Sequence, residues 1–280
     1  MIGGIPSSKE WIVNLDPDIH QVPFPGDFRC ENRNFEVFER SLLEKGVRPG
    51  RIAGVISETY QGGGASFMPE EYAQKLASWC KKNQVLLIFD EVQAGFGRTG
   101  RMFGFQHYNV IPDLLCCGKG ISSSLPLSAV IGRKEIMDLY PPNTMTSTHS
   151  GNPVCAAAAL TNLEVIIREN LPERAEKMGK VLFYELEEIR KDFPQAIGAV
   201  YGKGLVYGLY IVKNGGKEPD GELAFNIIQK AIQKGLMLFS PVGFGGATIK
   251  ICPPLIITEK AIEDGACAFR EAVSEAVKER

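Results

Sequence analysis

Val85-Leu86-Leu87-Ile88-Phe89-Asp90-Glu91-Val92-Gln93 is an apolar run closed by two carboxylates. A run this short, bounded by polar residues, reads as a strand buried inside a sheet. In open α/β sheets ligands sit beyond the carboxyl ends of the strands, which is where Asp90 and Glu91 stand. Side chains alternate along a strand, so the two carboxylates point to opposite sides and only one can face a given ligand. A solvated acidic pair that merely ends the strand is the competing reading.

Outward from this strand, helix and strand patterns alternate. A polar helix is expected at 35–45, a strand at 52–57, a helix at 69–82, and further short strands at 114–117 and 129–131. Alternation of this kind argues for a mostly parallel sheet. Residues 1–30, rich in Gly, Pro and Asp, carry no sustained period and read as irregular. Beyond the sheet come two long amphipathic helices, 153–168 and 173–191, which look like a connection. Strands at 199–212 and 248–251 and helices at 221–234 and 259–277 follow, grouped rather than alternating, as in a smaller α+β unit. The reading is therefore an α/β sheet domain over 1–155, with connecting helices and a small C-terminal domain over 156–280.

The chain has 280 residues, 44% hydrophobic and 23% charged, with a formal net charge of -2 and a pI near 6.0. No basic excess supports a nucleic-acid or anionic-membrane partner. No stretch is apolar for long enough to span a bilayer, and the start has no secretory pattern. The seven cysteines are odd in number, scattered and mostly inside apolar runs, which fits reduced thiols in a cytoplasmic, soluble protein.

Three further stretches carry possible chemistry. Gly95-Phe96-Gly97-Arg98-Thr99-Gly100 has the spacing of a dinucleotide fingerprint, but no helical period follows it, so it reads as a tight surface loop. Neither Gly118-Lys119-Gly120 nor Gly202-Lys203-Gly204 supplies the hydroxyl that a phosphate loop with a magnesium-binding strand requires. Lys119, flanked by glycines just after a buried strand, leaves a planar ligand free to approach, and burial or nearby positive charge can make such a lysine a nucleophile. An exposed turn lysine is the bland alternative. In Thr148-His149-Ser150-Gly151-Asn152-Pro153, Asn152 serves as a helix cap and Pro153 as the first helical residue, a terminus that offers N–H groups to an anion. It is equally an ordinary helix start. His20 and His107 form no metal-ligand spacing with any cysteine, and no metal is expected.

Taken in order, Ile88 through Gly100, then Gly118-Lys119-Gly120, then Ser147 through Pro153, the sequence resembles the class-III pyridoxal-phosphate (PLP)-dependent aminotransferases, among them 4-aminobutyrate, ornithine and acetylornithine aminotransferases. Weaker likeness extends through Gly202-Lys203-Gly204-Leu205 and Pro253-Pro254-Leu255. The resemblance implies a PLP-dependent transferase type I fold and amino transfer from an amine or omega-amino acid to a 2-oxo acid. A racemase or epimerase would use the same residues, and a catalytically silent fragment is a further alternative.

By this resemblance Lys119 is the Schiff-base lysine that later moves the substrate proton. Asp90 pairs with the ring nitrogen, Gln93 bonds the phenolic oxygen, and Thr148 reaches the phosphate of a neighbouring subunit, implying at least a homodimer. Glu58 stands beside the substrate. Lys250 occupies a position where the family often has arginine, and it cannot grip a carboxylate with two parallel bonds. A carboxylate about 4 Å from a cation at an effective dielectric near 20 contributes roughly 4 kcal/mol, which raises the ring nitrogen's pKa by at most about 3 units. Family chains also carry a leading part with a glycine-rich phosphate turn and a ring-stacking aromatic residue. Neither is found here, so the resemblance implies an N-terminally shortened chain.

Overall fold

The structure, a computed structural model, describes residues 3–26, 28–30 and 32–280. Met1, Ile2, Asp27 and Glu31 lie outside the described residues; the rest of the first 30 are irregular apart from a 3-10 turn at Pro6–Lys9.

In chain order the elements are α1 (Glu36–Glu44), β1 (Gly54–Glu58), β2 (Tyr60–Gln61), β3 (Ser66–Phe67), α2 (Glu70–Asn83), β4 (Leu86–Asp90), β5 (Leu114–Cys117), β6 (Ala129–Gly132), α3 (Lys134–Met137), α4 (Pro153–Arg168), α5 (Leu171–Asp192), β7 (Ile197–Lys203), β8 (Val206–Ile211), α6 (Gly221–Gln233), β9 (Thr248–Ile251) and α7 (Glu259–Lys278). β1, β4, β5 and β6 form one sheet in that order, parallel except for the antiparallel β6. The fold is thus α/β with a mostly parallel sheet, as expected. The crossover from β1 to β4 is formed where the amphipathic α2 turns Tyr72, Ala73, Leu76 and Cys80 onto the strands. Gln84, in the left-handed region at φ 57°, ends α2 and turns the chain back into β4.

A second sheet, β7-β8-β9, is antiparallel. The single strand expected at 199–212 is a hairpin, broken where Gly204 takes φ +56° between β7 and β8. That reversal passes so close to α5 that a Cβ on Gly179 would collide with the Gly204 carbonyl. Every residue of β8 is buried, because α5, α6 and α7 cover one face and the 60–67 hairpin covers the other. Tyr210 Oη donates to Gly64 O at 2.8 Å across that second contact.

Among the described residues two large apolar cores form, with a small third cluster of Tyr60, Ala65, Ala94 and Val206. One gathers residues of α5–α7 and the second sheet, including Leu186, Ile189, Leu209, Ile227 and Phe269. The other joins α1, α2 and α4 to β4 and β5 through Phe38, Leu76, Leu87, Phe89 and Leu115. Among the described residues no helix is long and apolar enough to cross a membrane.

Candidate active site

β4 alternates in burial, with Leu87 and Phe89 inside and Leu86, Ile88 and Asp90 half-buried. Glu91 therefore inherits the core face and Asp90 the open one, the separation that strand alternation predicts. Glu91 is fully buried and its carboxylate accepts N–H bonds from Gly104 and Phe105, each at 2.7 Å. Burial outweighs those two amides and pushes its pKa up to about 7. Glu91 is the anchor of the turn at Gly104–Tyr108 and faces away from Asp90's side of the sheet. The sequence singled it out only as a carboxylate; its amide partners lie thirteen and fourteen residues on and carry no local signal.

On the open face the strands set their last residues abreast. Glu58 pairs in register with Asp90, Asp90 with Cys116, and Cys116 with Val130. In a pleated sheet register partners project to the same side, so the two carboxylates share one surface at the C-terminal end of the parallel strands. Asp90 Oδ1 accepts the Val92 N–H at 2.9 Å, which fixes the carboxylate's orientation. Burial raises the Glu58 pKa; the Gly62 amide opposes this, Asp90 adds to it, and Lys250 and Lys119 pull it down. Asp90, Lys119 and Lys250 thus all bear electrostatically on the Glu58 carboxyl.

Lys119 follows β5 as the first residue of a 3-10 turn, exposed and with φ +40°. Its glycine neighbours permit this placement. A Cβ on Gly118 would come to 3.2 Å of Val92 Cγ1, and one on Gly120 to 3.3 Å of Phe96 Cβ. The lysine turn therefore lies directly on the 92–96 turn that follows Asp90.

Gln93 joins the site from that same turn, its Oε1 accepting from Lys250 Nζ at 3.0 Å. Lys250 also donates to Gly62 O at 2.7 Å, and Gly62 N donates to Glu58 Oε1 at 3.1 Å. Gly62 was not singled out by sequence reasoning, although the Gly62-Gly63-Gly64 run after β2 could have flagged a close backbone approach.

Thr148 lies in an exposed stretch, residues 141–150. Asn152 caps α4 as expected, accepting from Val154 N at 2.9 Å and Cys155 N at 3.3 Å. Those two amides are consequently engaged by the cap, and the expectation that this terminus offers them to an anion is corrected.

The Gly95–Gly100 stretch is a turn, but most of it is buried rather than on the surface. Gly100 faces Glu176 of α5, and a Cβ on Gly204 would collide with Thr99 and Gly100. Arg98, which the sequence left without a role, lies at this junction. Its Nη1 donates to Leu205 O at 2.9 Å and Pro253 O at 2.5 Å.

Residues 6–273 match the family described as aminotransferase class-III. An alanine/serine racemase of Pyrococcus horikoshii is 36% identical over 96% of this chain and 59% of its own length. A 4-aminobutyrate aminotransferase of Mycobacterium leprae is 38% identical over 80% of this chain and 50% of its own length. In structure the chain is similar to an S-selective transaminase from Arthrobacter sp., with a TM-score of 0.78 at 34% identity over 86% of this chain and 55% of that one. The chain spans 50–59% of the length of these two curated relatives.

Proposed function

This chain belongs to the class-III aminotransferase family, and from that premise we propose that it carries the pyridoxal-phosphate site of a transaminase. The reaction we assign to it moves an amino group from an amine or omega-amino acid, such as 4-aminobutyrate, to a 2-oxo acid. The observation that carries this reading is that Glu58 and Asp90 stand abreast at the open end of the sheet, with Lys250 bonded to Gln93 and Gly62 beside them and the Lys119 turn packed on the turn that follows Asp90.

The residues present fit the cofactor by the chemistry of their donors. A fixed carboxylate suits a pyridinium nitrogen, a side-chain amide suits a phenolic oxygen, and a primary amine on an open turn suits an aldehyde. When bound, the cofactor supplies a sink for the electrons left behind as the substrate loses a proton. Asp90, held by the Val92 amide, favours the protonated ring nitrogen. The Lys119 amine would hold the cofactor through its aldehyde and would be the group that moves the substrate proton. Glu58 and Lys250 border the substrate side, and burial of Glu58 favours its neutral form there.

Thr148 we assign to the phosphate of a neighbouring copy, which makes the working unit a homodimer or larger. Exposed apolar side chains near it, Tyr140, Met145 and Val154, support such a partner. We further propose a sheet domain over 1–155, a C-terminal domain over 156–280, and a cytoplasmic location consistent with seven free cysteines.

Borohydride reduction of the protein with PLP, followed by peptide mapping, tests the assignment. Label on Lys119 supports it, and label on Lys134 or Lys203 instead overturns it. A second reading is racemisation on the same residues, favoured by the likeness to the P. horikoshii racemase. A product formed without a 2-oxo acid and with inverted configuration would select it.

A further inference from the structure

β9 enters the site from the second sheet and brings Lys250 against two acceptors at once, Gly62 O at 2.7 Å and Gln93 Oε1 at 3.0 Å. An ammonium carries donors and no acceptor, so the Gln93 atom that faces it is the carbonyl oxygen. Turning the amide over would set donor against donor. Gly62 closes the arrangement from below: its N–H donates to Glu58 Oε1 at 3.1 Å, and a Cβ there would collide with Gln93 Nε2. Lys250, Gly62, Gln93 and Glu58 thus interlock, and a side chain at Gly62 would displace the Gln93 amide.

We propose that Lys250 is a positioning residue for Gln93. It locks the amide so that Nε2 remains the donor toward the cofactor's phenolic oxygen, and its ammonium is engaged in that lock rather than in gripping a substrate carboxylate. What Nε2 meets rests on the proposed cofactor site; the lock itself is a property of the chain alone. With two N–H groups engaged, Lys250 offers a carboxylate at most one, where an arginine fork would offer two. Its loss should therefore act through Gln93 and affect every amino donor alike, whether or not the donor carries a carboxylate.

A double-mutant cycle in thermal midpoint, on the cofactor-free chain, reads the lock directly. Lys250→Met and Gln93→Leu should each lower the midpoint, and the double variant should fall short of the sum by about 2–4 °C. Lys250→Gln, which can still donate to one acceptor, should keep part of the difference. Additive losses would overturn the lock.

In the PLP-loaded protein, loss of the N–H donor should raise the pH midpoint of the visible absorbance by about one unit in Lys250→Met, as in Gln93→Leu. A midpoint that moves only in Gln93→Leu overturns the positioning role. So does a Lys250→Met variant whose KM rises for 4-aminobutyrate while 1-phenylethylamine is unaffected, since that pattern marks a carboxylate grip. A chain that takes up no PLP counts against the proposed function, and the cofactor-free cycle then decides the lock by itself.

Discussion

At the residue scale the adjacent carboxylates divide the labour. Asp90→Asn should abolish most turnover, because the amide cannot favour a protonated ring nitrogen, whereas Glu91→Gln should act mainly on stability. Steady-state rates and melting curves of the two variants separate these effects, and equal loss of turnover would contradict the division. Glu91 also gives a pH signature. Its folded pKa of about 7 lies above the reference value of 4.5, so the fold binds its proton more tightly than the unfolded chain does. Its contribution is complete below pH 4.5, declines as pH rises towards 7, and is flat above. The decline is on the order of 3 kcal/mol at most. Urea unfolding at pH 5 and pH 8 should show this slope in the native chain and lose it in Glu91→Gln. Alternation along β4 made the separation of the two side chains legible in the sequence. The Gly104 and Phe105 amides that hold Glu91 were not legible, because a turn thirteen residues away leaves no mark on the strand.

At the element scale, helices with a strong apolar period and their own caps could be read directly. α4 begins at Pro153 behind Asn152 as expected, and α7 begins behind Thr258, whose side chain accepts from Ala261 N. Asn152→Ala should lower stability by about 1 kcal/mol, measurable by thermal melting, since two amides lose their acceptor. The failures fell where partners distant in sequence decide the outcome. β8 is continuous with β7 in hydrophobic pattern, and only the positive φ of Gly204 separates them. The 95–100 turn is polar enough to resemble surface, yet α5 and the 204 turn cover it. Gly179 on α5 marks that contact, and Gly179→Ala should destabilise by about 1–3 kcal/mol, because the Gly204 backbone has to move. A melting point unchanged in this variant would show that the helix and the turn are not in tight contact.

At the scale of the whole molecule, the four-stranded sheet ends among the described residues at β1 and β6, and both edges carry exposed apolar side chains: Ile56 at 38%, Val130 at 52% and Ile131 at 53%. Unpaired strand edges with apolar neighbours invite association. The isolated chain should therefore sediment as dimers or larger species at micromolar concentration, and a strictly monomeric profile would contradict this. The link between the two cores has a different consequence. The Arg98 guanidinium, half-buried, ties the 95–100 turn to Leu205 and Pro253, backbone groups more than a hundred residues away. If one core opens, this cation loses both carbonyl acceptors while still screened from water, so opening of either core is penalised until the other follows. Arg98 thus adds to the cooperativity that the Tyr210, Lys250 and Gly204 contacts also support: the native chain should give a single calorimetric peak, and Arg98→Met should broaden it.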